Sequence, residues 1–501
     1  SAYPVESGSA RQVRPGGYTF HSLGVDTPLF NLPETEADVT GEPGERNVPD
    51  VLDAARLEAE AQALATDRGA PVYFGSTPVL GVRIDGEPVP PEALCFRDLE
   101  EWAPPPRARR AGGREISIRA AVDPARGRIT LPAGAEPASV EVAYAYGSAG
   151  DVGGGPYDRR ATLTPSSPGV PEWTVGAPVP GTDPARHFAT LDGALDAWEQ
   201  QGGKGVVRLV DDRTHSLAAE SGFRRLRLGD GHLVIEAVDG VHPTVAGSLE
   251  VVGGGSHAHL HLGGVRLDGT VRLVGEVSLL LSHCTLRPGS EPAAAWRSSV
   301  EAWDAGPGMR VVVERCITGP LSLPARIAGL AVRDSIVDGG FGYAVADGTA
   351  PHDDARPGPP SAFLRTSVFG MVRVSGISLA SETVFQGLVL ASRDQEGTVE
   401  FCYVPPESQT PPRHRCQPDL VLAADGDAAR VRPRFTSTRY GDPGYAQLAP
   451  DCPREIRTGA RDGSEMGVFH HLQQPQREAN LREVLEEYLP YGVRAGIFYV
   501  T

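Results

Sequence analysis

The chain has 501 residues, of which 40% are hydrophobic and 22% charged, so it is long enough for several globular domains. Its net charge of −17 argues against a nucleic-acid partner, because phosphate recognition needs a basic face. No run of about 18 apolar residues occurs, so no membrane-spanning helix is expected. With 60 Gly, 45 Pro and only 6% aromatic residues, the composition favours many short strands separated by turns.

The N-terminal third is predicted to hold an extended arm and a small α+β module. Residues 1–46 are interrupted by Pro and Gly and lack periodicity, which is typical of an arm. Within 47–160, an Ala/Leu/Glu-rich stretch at 49–68 predicts one helix, and short apolar stretches after it predict strands. Residues 161–186 are rich in Pro, Gly, Ser and Thr, so they are predicted to form a linker.

The character of the sequence changes at residue 187. In "HFATLDGALDAWEQQGGKGVVRLVDD" (187–212), apolar residues from Leu191 to Trp198 recur at spacings of three and four, which predicts an amphipathic helix. Two glycines at 202 and 203 are expected to end this helix, and "GVVRLV" after them predicts a strand. From there to about 405 the chain consists of short apolar stretches separated by Gly, Pro and polar pairs.

Six short phrases in this part, such as "RDSIVDG" (333–339) and "ERCITG" (314–319), share one pattern. Each has a polar pair, one small residue, an apolar or β-branched pair, and usually a glycine. The small residues are 32, 19, 32, 16 and 19 positions apart, and the two long intervals contain inserts at 290–308 and 340–360. The small residues are Cys284, Cys316, Ser335, Ser367, Thr383 and Cys402.

This repetition predicts a mainly β protein in which residues 187–405 wind as a right-handed parallel β-helix. Its coils would stack about 4.8 Å apart, so we expect the six small residues to form one column just after a corner. The cysteines are expected to be free thiols that act as small apolar fillers. A disulfide between Cys402 and Cys416 is the alternative.

The ends of such a rod must be covered, because they expose unpaired strand edges. The helix at 190–201 is placed to cap one end. Residues 406–501 are predicted to form a C-terminal capping or attachment segment, with a helix at 474–489 and a strand at 495–500. This segment would either cover the far edge or fold back along the rod.

The sharpest local signal is the stretch "SHAHLHL" (256–262), where His257, His259 and His261 alternate. On a strand the three imidazoles share one face, and such side chains are ligands for zinc. The sequence therefore predicts a candidate metal site. A histidine stripe that faces solvent explains the same pattern.

A second candidate lies in the insert at 340–360, where binding loops would emerge from the rod. Its residues His352, Asp353 and Asp354 are interpreted as a ligand-facing loop, with a solvated turn as the alternative.

Carboxylate pairs are the third kind of candidate, since glycosidases need two carboxylates at a controlled separation. Asp211 and Asp212 are adjacent on a strand and would point to opposite faces, which makes them a poor pair. Asp334 and Asp338 form another pair. No familiar catalytic or nucleotide-binding motif occurs, so no catalytic residue and no cofactor are assigned.

Two resemblances follow from these residues. The stretch 187–212, with its aromatic residue, short helix, Gly-Gly and first strand, resembles the entry to pectate-lyase-like β-helices. That architecture is shared by polysaccharide lyases, hydrolases, phage tailspikes and adhesins. The Asn-Thr-Asp, Gly-Asp-Asp and Arg-Ile-Lys segments of polygalacturonases are missing, so no catalytic residue is implied.

The second resemblance is to a poorly characterised bacterial family associated with phage-tail-like and contractile-injection gene clusters. It is carried by "VDPARGRITLP" (122–132), "VAYAYGSAGDVGGGPYDR" (142–159), "PPRHRCQPDL" (411–420), "RYGDPGYAQL" (439–448) and "DGSEMGVFHHLQQPQREANLREVLEEYLPYG" (462–492). This resemblance implies partners in a large assembly.

We therefore expect a non-enzymatic structural or adaptor component of a phage-tail-like particle. The β-helix would serve as a rigid spacer or as a surface that faces a receptor or glycan, with no nucleic acid and no membrane span. Two alternatives remain open, namely a carbohydrate-active β-helix enzyme and a glycan-binding surface adhesin. The particle would be assembled in the bacterial cytoplasm or released from the cell.

Overall fold

The computed structural model describes all residues except 36–43, 67–69, 179, 220, 288–297, 349–354, 425, 490–491, 493–495 and 497–501. The protein is mainly β, and its dominant element is a parallel β-helix between residues 172 and 414. An N-terminal module precedes the β-helix, and a C-terminal segment with little regular structure follows it.

The N-terminal module consists of two small sheets and one helix around a common apolar core. Its sheets have the strand orders β1-β11-β4-β5 and β2-β3-β10-β9-β6, and β7 and β8 form a separate hairpin. The elements are β1 (Ala2–Ser9), β2 (Arg11–Arg14), β3 (Gly17–Thr19), α1 (Ala54–Leu64), β4 (Gly81–Ile84), β5 (Glu87–Pro88), β6 (Leu94–Phe96), β7 (Ala108–Ala111), β8 (Arg114–Ser117), β9 (Ala120–Asp123), β10 (Arg128–Thr130) and β11 (Val140–Gly147).

The predicted arm at 1–46 is wrong for the residues that form β1 to β3. Strand β1 is antiparallel to β11, with Tyr3 opposite Tyr146, and β3 is antiparallel to β10. The partners lie more than 100 residues away, so no local pattern signals the pairing. The helix predicted within 49–68 is present as α1, which Asp53 caps and which buries Leu57.

The β-helix contains 23 strands within the described residues. They are β12 (Glu172–Val175), β13 (His187–Phe188), β14 (Lys204–Leu209), β15 (Thr214–Ser216), β16 (Phe223–Gly229), β17 (His232–Ala237), β18 (Thr244–Ala246), β19 (Ser248–Gly263), β20 (Arg266–Asp268), β21 (Val271–Ser282), β22 (Thr285–Leu286), β23 (Val300–Trp303), β24 (Arg310–Glu314), β25 (Ile317–Thr318), β26 (Leu321–Ser322), β27 (Gly329–Arg333), β28 (Ile336–Ala346), β29 (Gly358–Leu364), β30 (Ser367–Ser381), β31 (Val384–Phe385), β32 (Val389–Arg393), β33 (Thr398–Glu400) and β34 (Arg413–His414).

These strands form three parallel faces, which we name sheets A, B and C. Sheet A includes β14, β17, β24 and β27, sheet B includes β15, β18, β20 and β22, and sheet C includes β16, β23, β26 and β32. Longer strands bend at a corner and belong to two sheets. Strands β19 and β21, for example, pair with each other in both sheet C and sheet A. The predicted linker at 161–186 therefore holds the first strand of the stack, because β12 pairs with β14.

A residue in left-handed conformation marks the corner between sheets A and B in successive coils, with φ between 47° and 55°. The small residue directly after it lies inside the corner and forms the predicted column. Backbone N–H groups of one coil donate to the small side chain of the next, as from Cys316 N to Ser335 Oγ over 3.0 Å. The column is Cys284, Cys316, Ser335, Thr366, Thr383, Cys402 and Cys416.

One predicted member of this column is wrong. Thr366, and not Ser367, follows the left-handed Arg365, and the Thr366 N–H points to Thr383 Oγ1. Ser367 instead begins β30, and its hydroxyl faces outward to accept the N–H of Val468. The six cysteines of the chain are free thiols, so the alternative Cys402–Cys416 disulfide is absent.

The interior of the β-helix is apolar and mostly aliphatic, because alternate residues of its strands point inward; Phe363 and Phe385 are an aromatic pair in it. Helix α2 (Leu191–Gln201) closes the N-terminal end with Leu191, Leu195 and Trp198, and Gly202 ends it with φ of 68°. This end cap agrees with the sequence prediction.

Both terminal parts of the chain pack on the outer face of sheet B. The N-terminal module reaches it through Ser22, whose hydroxyl lies 2.5 Å from that of Thr244. The C-terminal segment contains α3 (Asp419–Ala423), α4 (Arg454–Arg457) and α5 (Gln474–Tyr488), and it folds back along the rod, which was one of the two predicted alternatives. The strand predicted at 495–500 lies outside the described residues except at Gly496.

Candidate interaction surface

The predicted metal ligands lie on sheet A, where β19 places them on the outer face. Leu260 and Leu262 point into the core, as the alternation predicts. His257 is exposed and His259 half-buried, whereas His261 is buried and its Nε2 lies 2.7 Å from Ser282 Oγ. The stripe is thus exposed at one end only. Metal binding by it stays a prediction.

Burial lowers the pKa of His259 and His261. Burial, with a smaller contribution from the neighbouring imidazoles of His259 and His232, lowers the pKa of His261 to about 4. His259 packs against His232 of the adjacent coil, with ring centroids 4.6 Å apart, and burial lowers the pKa of both. The rings of His259 and His261 therefore also pack on the surface of sheet A, through His232 and Ser282.

The candidate loop at His352, Asp353 and Asp354 lies outside the described residues.

The carboxylate pairs hold parts of the molecule together. Asp334 pairs with Arg365 of the next coil over 2.6 Å. Asp338 accepts a 2.7 Å hydrogen bond from Tyr445 of the C-terminal segment, and burial raises the pKa of its carboxyl. The two carboxylates therefore face different partners.

Asp211 and Asp212 lie in the bend between β14 and β15 and not on a strand as predicted, but they too face different partners. Asp211 lies 3.0 Å from His215 Nε2, whereas Asp212 accepts the backbone N–H of His242 over 2.9 Å.

A cavity of about 60 Å³ lies where the N-terminal module, sheet B and the C-terminal segment meet. Arg266 is only 3% exposed there, and its guanidinium lies 5.4 Å from the centre of the Tyr146 ring and 3.4 Å from Ser22 Oγ. His21 and Tyr440 close the same space, with Nε2 and Oη 3.3 Å apart. Tyrosine faces and hydroxyls thus stabilise the buried cation, and the three parts are fixed to one another.

Sheet C carries a stacked cation on its open outer face. Arg272 lies between two aromatic rings, with its guanidinium carbon 3.9 Å from the centre of Phe223 and 4.6 Å from that of Trp303. Its Nε donates to Glu301 over 2.6 Å. Trp303 remains 55% exposed, so this face offers an aromatic platform beside a row of charges.

Helix α5 has no buried residue, and it presents an apolar ridge to solvent. Leu481, Val484 and Tyr488 are 45%, 48% and 80% exposed. They lie at spacings of three and four, so they share one face of the helix. The N-terminal half of α5 is tied to α4 through Glu478, which pairs with Arg457 over 3.0 Å. An exposed apolar helix face of this kind can bind in an apolar groove on another protein.

No protein-family model, curated protein or solved structure matches this chain. Among the described residues, no helix is both long and apolar enough to cross a membrane.

The ridge of α5 was not predicted from the sequence, where this helix was only part of a C-terminal capping or attachment segment. A signal was present, since the apolar residues follow the helical period while the helix is otherwise strongly charged. The stack around Arg272 had no such signal. Its three side chains come from β16, β21 and β23, which are separated by 49 and 31 residues.

Proposed function

We propose that this protein is a non-enzymatic structural or adaptor component of a phage-tail-like contractile particle. The β-helix acts as a rigid spacer, and α5 attaches it to another subunit. The observation that carries the proposal is the ridge of Leu481, Val484 and Tyr488, which no described residue covers.

The rod is suited to a spacer role because each coil is fixed to its neighbours by backbone ladders on three faces. Both terminal parts pack along sheet B, so the module and the segment add to the stiffness of the rod. The resemblance of several segments to a family associated with phage-tail-like gene clusters supports a phage-tail-like particle as the assembly.

The charge of the chain favours a different protein as the partner of α5. Two copies would each carry −17, and α5 itself has four glutamates and only two arginines. Like charges oppose self-association, whereas an apolar groove with a basic rim would complement this helix.

The test is to isolate the native assembly and measure by mass spectrometry whether the chain is present at fixed stoichiometry. A variant with Leu481→Glu and Val484→Glu should reduce incorporation about tenfold or more, because it places charge in an apolar contact. Ala479→Glu, on the opposite face of the same helix, is the matched control and should assemble normally. Recovery of the wild-type chain only as a free monomer would contradict the proposal.

Glycan binding on sheet C is a second candidate, favoured by the exposed Trp303 beside Arg272 and Glu301. Aromatic rings with adjacent polar groups suit sugar rings that have one apolar face. A glycan array should then give signals that Trp303→Ala removes and that Phe341→Ala, at an exposed corner, retains. New reducing ends in a polysaccharide panel would point instead to an enzyme.

A further inference from the structure

Three ligand-bearing side chains converge where the C-terminal segment crosses a corner of the β-helix. Glu382 is the left-handed corner residue before β31, and Asp462 and His470 belong to the segment that packs over it. One carboxylate oxygen of each acid and the imidazole nitrogen of His470 all lie within 4.8 Å of one another. Residues from two separate parts of the chain thus form one cluster of donors.

The separations fit metal ligation better than hydrogen bonding. His470 Nε2 lies 3.3 Å from Asp462 Oδ1 and 3.6 Å from Glu382 Oε1. This nitrogen is shielded from solvent and makes no hydrogen bond within the described residues. A tetrahedral zinc ion with bonds of about 2.0–2.1 Å separates neighbouring ligand atoms by about 3.3–3.4 Å, which is close to both distances.

The backbone holds the three donors in place. The carbonyl of Glu382 accepts the N–H of Gly467 over 2.8 Å, which fixes the segment against the corner. The carboxylate of Asp462 accepts the N–H of Ser464 over 3.0 Å. Little movement of the chain is therefore needed to bring the donors to bonding distance from a central ion.

The local charge also suits a divalent cation. The carboxylates of Glu382 and Asp462 supply two negative charges. The guanidinium of Arg461 is directed away, since it pairs with Glu400 and lies 5.1 Å from the centre of the Phe401 ring. The guanidinium of Arg365 is close enough to interact electrostatically with Glu382, but it is paired with Asp334. The backbone N–H of Arg461 donates to Glu382 Oε1 over 3.3 Å.

We propose that Glu382, Asp462 and His470 bind a divalent transition metal, with zinc as the best fit, and that this ion fastens the C-terminal segment to the β-helix. A donor set of one imidazole and two carboxylates is a zinc set, and three protein ligands leave one position for water. This site is distinct from the histidine stripe on sheet A.

The test uses the full chain after dialysis against a chelator. Calorimetry should show one zinc ion per chain, and cobalt should bind at the same site with the visible absorption of a four-coordinate complex. Zinc should also raise the unfolding temperature, because it binds only the folded state. Magnesium and calcium should have no comparable effect, since they prefer all-oxygen sites.

Glu382→Gln and His470→Gln should each weaken zinc binding about tenfold or more, with circular dichroism showing that the variants fold. His414→Gln, at an exposed histidine on β34, is the matched control and should bind as the wild type does. Binding that survives in both ligand variants and is lost in His259→Gln would place the ion on sheet A and overturn the proposal. Absence of stoichiometric zinc and cobalt binding by the folded wild-type chain would overturn it as well.

Discussion

The two sides of sheet B are built on different principles. Its inner side faces a mostly aliphatic core in which each coil contacts mainly the coils next to it. Its outer side faces a polar and aromatic junction in which partners come from the whole chain, as in the contact of His21 with Tyr440, 419 positions apart. In the same strands, the repeated sequence pattern determines which residues form the core of the β-helix. The packing of the terminal parts on the outer face depends on contacts between distant residues, which no repeat encodes.

The largest expected effect is in the core of the β-helix. Phe363 is fully buried and packs edge-to-face on Phe385 of the next coil, with ring centroids 5.4 Å apart. Phe363→Ala should lower the free energy of unfolding by about 3–5 kcal/mol, because it leaves a cavity. Phe341→Ala, at a residue that is 94% exposed, is the matched control and should change it by less than about 0.5 kcal/mol. Chemical denaturation measures both, and similar losses in the two variants would contradict the distinction between core and surface.

The junction should be the part that acid weakens. Burial, helped by the charge of Arg266, lowers the pKa of His242 to about 4, although Asp212 opposes the shift. The native state then binds fewer protons than the unfolded state between about pH 4 and 6.5, so stability is complete above this window and is lost as the pH falls through it.

His242→Gln should therefore flatten the dependence of the free energy of unfolding on pH by up to about 1.4 kcal/mol per unit in that window. His257→Gln, at an exposed position on β19, should leave the slope unchanged. Denaturation curves at a series of pH values measure the slope, and equal slopes in the wild type and His242→Gln would show that this imidazole is not the titrating group.

A smaller effect is expected in the corner column. Ser335→Ala should cost about 1–2 kcal/mol, because it leaves the buried N–H of Cys316 without an acceptor. Ser335→Cys should cost less, since other coils carry a cysteine at this position. The difference in the free energy of unfolding between the two variants, measured by urea denaturation, separates the contribution of the hydrogen bond from that of the side-chain volume. No difference would mean that the column only fills space.

The prediction of the column shows how far local patterns reach. Thr366 and Ser367 are both small and polar, so spacing alone could not choose between them. The left-handed backbone of Arg365 decides, and a shift by one residue turns Ser367 from the inside to the outside of the sheet. Outside, it binds the C-terminal segment, a role that the repeat does not encode.

The sequence by itself determined the parallel β-helix, the helix that caps its start, and the inward direction of Leu260 and Leu262, because these follow from periods repeated within a few tens of residues. Only the tertiary structure decided that the first residues belong to a sheet and that the C-terminal segment lies along sheet B. It also decided that Glu382 meets Asp462 and His470. The physical reason is that these contacts join surfaces distant in sequence, where shape and charge, and not period, select the partner.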